Sequence, residues 1–135
     1  MNVQDKIIDD FSKLEDLEQR YEYIISLGDK LIKNPKLKKD ENLIKGCQSL
    51  VWLCSEKKDD VIFFYGDSDS VIIKGLIYLL LQVYSGNVPD DILSTDPYFI
   101  ESIGLKSFIT STRSNGLASM IKTIKFHALA YKNKK

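Results

Sequence analysis

The chain offers little from which to build a metal centre or a disulfide framework. Of its 135 residues two are cysteine, Cys47 and Cys54, and one is histidine, His127. A structural zinc site needs four ligands, commonly in closely spaced Cys or His pairs, and a cystine framework needs a denser set of cysteines. A Cys47–Cys54 bridge is disfavoured if the residues between them are extended, because seven residues of strand span roughly 23 Å. Two free thiols and a reducing, cytoplasmic setting are the expectation. Excess charge of either sign is also absent, with 19 Lys plus Arg against 19 Asp plus Glu. That argues against a general binder of nucleic acid or of a membrane surface. No apolar run is long and uninterrupted enough to span a bilayer, and residues 1–10 do not have the pattern of a signal or transit peptide. Glycine-rich phosphate loops, G-x-S-x-G and H-E-x-x-H are missing. The adjacent carboxylates, such as Asp59-Asp60 and Asp90-Asp91, read as solvated turns or helix starts.

What the chain does contain reads as one α+β domain over residues 1–135, a small antiparallel sheet packed against several helices. Val3, Ile7, Ile8 and Phe11 recur at helical spacing. Ser12 to Glu15 fits a capping box for a second helix that carries Leu14, Leu17, Tyr21, Ile24 and Ile25 and stops at Gly28. Residues 29–42 lose the pattern and read as a solvated connection. Residues 50–55 and 61–65 are β-prone runs on either side of the polar break 56–60, a hairpin to which 43–45 could add a third strand. Residues 71–84 are apolar nearly all round and read as the central core helix, capped by the Asp67–Ser70 stretch, with Gly75 permitting close packing. A short helix follows at Pro89, another after Pro97, then a loop over 105–111. Residues 112–116 lead into a last helix, in which Leu117, Met120, Ile121, Ile124, Ala128 and Leu129 share a face. His127 sits near the end of that helix, where a cationic form would suit the dipole. As a lone histidine it reads as structural or solvated.

The stretch with chemical promise is Ile44-Lys45-Gly46-Cys47-Gln48-Ser49-Leu50-Val51-Trp52-Leu53. Apolar residues on both sides call for burial and can anchor a short polar turn. Gly46 allows the backbone to bend, and Lys45 favours a thiolate at Cys47. Cys54 lacks this setting and reads as a buried, inert thiol.

Two further stretches join it: Gly66-Asp67-Ser68-Asp69-Ser70-Val71-Ile72-Ile73-Lys74-Gly75-Leu76 and Thr110-Ser111-Thr112-Arg113-Ser114-Asn115-Gly116-Leu117. In this order and spacing the three resemble the SufE family of sulfur-acceptor proteins, from about Phe11 to the last helix. The resemblance implies the α+β fold shared with iron–sulfur scaffold proteins. It implies no cofactor of the chain's own and two partners: a pyridoxal-phosphate-dependent cysteine desulfurase and an iron–sulfur scaffold. Cys47 matches the persulfide-accepting cysteine, while Asp69 and Arg113 match supporting positions beside its loop. Gly46, Gln48 and Ser49 are the natural partner-facing residues of that loop. Ser111 stands where the family often has proline, which makes the turn before Arg113 a departure. The competing readings are an iron–sulfur scaffold, a non-catalytic adaptor of the same fold, and a small cysteine hydrolase. The first wants more cysteines around the site, and the last would need His127 beside Cys47.

Overall fold

The computed structural model describes residues 2–45, 49–104 and 111–134, with residues 111–116 described by their backbone alone. Helix α1 (Val3–Ser12) starts where the Asn2 side chain accepts from the Asp5 amide at 2.8 Å. Helix α2 (Leu17–Gly28) starts later than the capping box at Ser12 predicts. Ser12 is instead the last residue of α1, its hydroxyl donating to the Asp9 carbonyl at 2.6 Å. Asp16 is the N-cap of α2, accepting from the Gln19 amide at 2.8 Å, while Gln19 reaches back to the Glu15 amide at 2.8 Å. A related reciprocal cap therefore forms four residues downstream, with Gln19 accepting from the amide before the N-cap instead of the N-cap's own.

Strands β1 (Val51–Lys58) and β2 (Val61–Ser68) pair antiparallel from Val51↔Ser68 to Lys58↔Val61. The predicted break at 56–60 is too wide, because Glu56, Lys57 and Lys58 continue the strand towards solvent and only Asp59-Asp60 turn. Asp59 takes the left-handed conformation at φ 56°, one that Asp tolerates. The third strand expected at 43–45 is reduced to a single bridge, Leu43↔Trp52. A two-stranded ribbon of this size is marginal alone, and here helix α3 (Val71–Tyr84) covers its inner face. Ile62, Phe64, Leu53, Ile77 and Leu80 are buried between them.

Helix α3 is the core helix the sequence predicts, and Ser70 caps it by accepting from the Ile73 amide at 3.4 Å. Gly75 has the predicted role: a Cβ there would overlap the Ile24 carbonyl oxygen of α2. On the other side of this crossing, a Cβ at Gly28 would lie 2.8 Å from Lys74 Cβ. Short helices α4 (Pro89–Ser94) and α5 (Phe99–Ser102) follow. Buried Gln4 ties α1 to them, donating to the Asp96 carbonyl at 2.9 Å and accepting from the Phe99 amide at 3.1 Å. The Tyr84 hydroxyl donates to the Thr95 carbonyl at 2.9 Å, and burial pushes its pKa up to about 12.

Helix α6 (Ser111–Asn133) closes the fold against α4 and β1. It begins before the stretch 112–116 that was expected only to lead into it, and residues 105–110 of the predicted loop lie outside the described residues. Leu117, Met120, Ile124 and Ala128 are buried as expected, whereas Leu129 is 45% exposed. Among the described residues no helix is long and apolar enough to cross a membrane.

Candidate functional site

The hairpin ends in a short loop that its neighbours close on both sides. On one side the Ile44 amide donates to the Val51 carbonyl at 2.8 Å, next to the Leu43↔Trp52 bridge. This pairing forms a neck between Ile44 and Val51. On the other side Asp69 holds Leu50 by both backbone groups. The Leu50 amide donates to Asp69 Oδ1 at 3.0 Å, and the Asp69 amide donates to the Leu50 carbonyl at 3.2 Å. A carboxylate accepting from a backbone amide makes a charge-assisted bond, stronger than a neutral one. Gly46, Cys47 and Gln48 lie outside the described residues; Ser49 is half-buried and Lys45 is exposed.

Each polar residue of the Gly66–Ser70 stretch has its own task. Gly66 lets β2 approach α3, since a Cβ there would lie 2.8 Å from Ile77 Cγ2. Asp67 Oδ1 accepts from the Ser68 amide at 2.8 Å, and the buried Ser68 hydroxyl accepts from the Ser70 amide at 3.1 Å. Asp69 reaches the loop and Ser70 caps α3. The result is a rigid turn that delivers one carboxylate to the base of the loop.

Asp67 also joins two lysines that sequence reasoning did not bring together. Lys38 Nζ is 3.3 Å from its Oδ2 and Lys74 Nζ is 3.6 Å from its Oδ1. The Lys38 ammonium also lies 5.3 Å from the centroid of Trp52, the residue paired with Asp67 across the hairpin. Asp67 figures in the sequence as a candidate cap and as part of the second family-like stretch, and nothing in the spacing of 38, 67 and 74 announces the cluster.

Of the two roles read for it, structural or solvated, His127 takes the structural one. It is half-buried, its Nδ1 lies 2.6 Å from Ser55 Oγ, and burial pushes its pKa down. Tyr131, one turn on, donates to the Ser55 carbonyl at 3.3 Å. The three side chains fasten α6 to the middle of β1. Neighbouring Cys54 is partly buried, and its thiol pKa is pushed up first by that burial and then by the Glu56 carboxylate. A raised pKa leaves less thiolate and a less reactive sulfur, in keeping with the inert role expected of it. Arg113 lies in the first turn of α6, its side chain outside the described residues. Of the predicted site residues, then, Asp69 is at the loop base, and Ser49 lies inside the loop.

The comparisons with known proteins agree with this architecture. The Fe-S metabolism associated domain of the SufE family matches residues 5–128. An uncharacterized SufE-like protein of Rhizobium meliloti is 40% identical over 134 residues, covering 95% of this chain and 96% of its own. A second, from Rhizobium etli, is 43% identical over 92% of this chain and 88% of its own. A third, from Synechocystis, is 33% identical over 93% of this chain and 80% of its own. In fold the chain is similar to a hypothetical protein from Thermus thermophilus solved in solution. That likeness has a TM-score of 0.80 at 17% identity and covers 98% of this chain and 97% of the other. On the family match and these relatives, the chain belongs to the SufE family, whose domain is associated with iron–sulfur metabolism.

Proposed function

We propose that this chain is a sulfur carrier: Cys47 accepts sulfane sulfur from the persulfide of a pyridoxal-phosphate-dependent cysteine desulfurase and passes it to an iron–sulfur scaffold in the cytoplasm. The chain stimulates the desulfurase by removing its product and has no turnover of its own. In the transfer, the Cys47 thiol gives up its proton and the thiolate attacks the outer sulfur of the donor persulfide. The donor's S–S bond breaks, a new S–S bond forms on Cys47, and the donor thiolate leaves and takes up a proton. Sulfur moves at constant total oxidation state, so no outside oxidant or reductant enters. Rates of such exchange rise with thiolate fraction and access.

The observation that carries this reading is the double hold of Asp69 on Leu50 beside the Ile44–Val51 neck. It supports a fixed base at Ile44, Leu50 and Val51 for the segment that bears the family's cysteine, since limiting the freedom around a reacting group lowers the entropic cost of the encounter. In this scheme Asp69 positions the loop, Arg113 and Lys45 favour the thiolate, Gly46 is the hinge, and Gln48 and Ser49 face the donor. Cys54, with its raised pKa, stays out of the chemistry.

The test is intact-mass analysis after incubation with the cysteine desulfurase of the same cell and free cysteine, followed by peptide mapping. One added sulfur, +32 Da by the mass of the atom, is expected on Cys47 and none on Cys54, with Cys47→Ser abolishing both the adduct and the stimulation of the desulfurase. An unmodified protein beside an active desulfurase would overturn the carrier reading and favour an adaptor of the same fold.

A further inference from the structure

Charge is unevenly distributed along this neutral chain. Residues 1–28 carry seven carboxylates against three basic side chains, whereas residues 29–45 carry six lysines against three carboxylates. All six, Lys30, Lys33, Lys36, Lys38, Lys39 and Lys45, are exposed. The segment has little regular structure, only the 3-10 turn Asp40–Asn42, yet it is held firmly. Leu37 is 3% exposed and lines the cleft beneath the segment. The Asn42 side chain donates to the Lys36 and Leu37 carbonyls at 3.0 and 2.9 Å, and Asn34 Oδ1 accepts from the Lys36 amide at 2.9 Å. Lys38 pins the segment to Asp67 and Trp52, at the hairpin end that carries the cysteine loop.

Beneath this basic segment lies a cleft of about 600 Å³ lined by Ile32, Lys33, Pro35, Lys38, Asp67 and Lys74, among others. Ile32 is 72% exposed at its edge, a large apolar side chain between Lys30 and Lys33 in the sequence. A solvated linker has no call for a buried leucine, three side-chain-to-backbone anchors and an apolar tip. Those features describe a surface ordered in advance, which lowers the entropic cost of binding, while its charge would speed encounter with an acidic surface.

We propose that the 30–39 segment is the docking face for an acidic segment of the sulfur donor, one that places an apolar side chain against Ile32. This rests on the sulfur-carrier reading for the identity of the partner. The face reaches the start of the hairpin through the Lys38–Asp67–Trp52 contact, so a donor segment seated on it comes to the same end of the hairpin as Leu43 and Leu50.

The experiment compares the wild-type chain with a Lys33→Glu, Lys36→Glu, Lys39→Glu triple variant. These three are chosen because the segment is anchored by Leu37, Lys38 and Asn42 instead. Affinity for the desulfurase is measured at 50 and 300 mM NaCl, and sulfur loading of Cys47 is measured at saturating desulfurase. The variant is expected to bind at least about tenfold more weakly at low salt, as reversing charges on a complementary face does. Its salt dependence should flatten and its saturated loading should stay within about twofold of wild type. Ile32→Ser, a change at an exposed position, should weaken binding about equally at both salt concentrations. Equal affinities and equal salt slopes for wild type and triple variant would overturn the docking face while leaving the carrier reading in place. A wild-type chain that binds but takes up no sulfur would overturn the carrier reading instead, and a wild-type chain that does not bind would overturn both.

Discussion

Two helices hold the hairpin, and they hold it by opposite means. Helix α3 lies against β2 and α2 through places where side chains are missing. Gly66 meets Ile77, Gly75 meets the Ile24 backbone and Gly28 meets Lys74, so each contact is limited by volume. Helix α6 is fastened to β1 by side chains that are present, Ser55, His127 and Tyr131, in a half-buried polar cluster limited by protonation and bond geometry. The distinction bears on the site, because Asp69 is carried on the turn into α3 whereas Arg113 is carried on α6. The glycine seam thus lies on the helix that follows Asp69, and the polar seam on the helix that contains Arg113.

The largest expected effect breaks the glycine seam. Gly75→Ala improves helix propensity by about 1 kcal/mol, but the added methyl overlaps the Ile24 carbonyl oxygen, a backbone atom that can move only if α2 moves with it. Overpacking of this kind costs about 1–3 kcal/mol, occasionally more, and a backbone obstacle belongs at the upper end. A net loss of about 2 kcal/mol and a fall in melting temperature of about 8 °C are expected. Thermal unfolding followed by circular dichroism measures it, and an unchanged midpoint would show that α2 and α3 separate freely.

The glycine seam was also the more legible of the two in the sequence. An apolar run with a glycine in its first turns predicts a close crossing, and the 3.6-residue spacing that buries Ile24, Leu27, Ile77 and Leu80 is written locally. Ser12 and Glu15 have the right types for a capping box, which puts the start of the second helix too early, while Asp16 and Gln19 have them equally well. Local chemistry cannot choose between two adequate caps; the length of α1 does. The hairpin was cut short because Glu56, Lys57 and Lys58 look like a break, although charged residues commonly finish a strand that is leaving the core. At the site, the resemblance picked out Asp69, but its grip on Leu50 depends on the strand register. The Ser55–His127 bond joins residues 72 apart in sequence, and the Lys38–Asp67–Lys74 cluster comes from three separate elements. Neither leaves a periodic trace.

The polar seam makes a smaller prediction, with a sign. Burial lowers the folded-state pKa of His127 below 6.5, so the unfolded chain binds the proton more tightly. Stability is therefore fully present above about pH 6.5, falls as the pH drops below it, and levels off below the folded-state pKa. The bond to Ser55 need not break on protonation, since Nδ1 can then donate to the hydroxyl; the cost is a charge in a half-buried place. Replacing His127 by Gln, which keeps a polar side chain without the titration, should cost about 1 kcal/mol at neutral pH and remove this part of the acid sensitivity. Urea unfolding of both proteins between pH 5 and 8 reads the difference. Parallel curves would mean that other groups set the acid limb.

The smallest effect on global stability belongs to Asp69, and it separates the loop from both seams. Asp69→Ala removes an exposed acceptor that holds one amide, a loss of about 0.5 kcal/mol. Because Ile44 still pairs with Val51, the neck should stay closed. Amide hydrogen exchange should therefore speed up severalfold at Leu50, remain unchanged at the Ile44 amide, and remain unchanged in α3 and α6. Asp69→Asn keeps an oxygen acceptor without the charge and should fall between the two. If exchange rose together at Leu50, Ile44 and the start of α3, the turn and the loop would open as one unit, and Asp69 would be holding the hairpin end as a whole. If it rose at Leu50 alone, the Asp69 carboxylate would be securing that one amide, while the Ile44–Val51 neck and the turn into α3 hold without it.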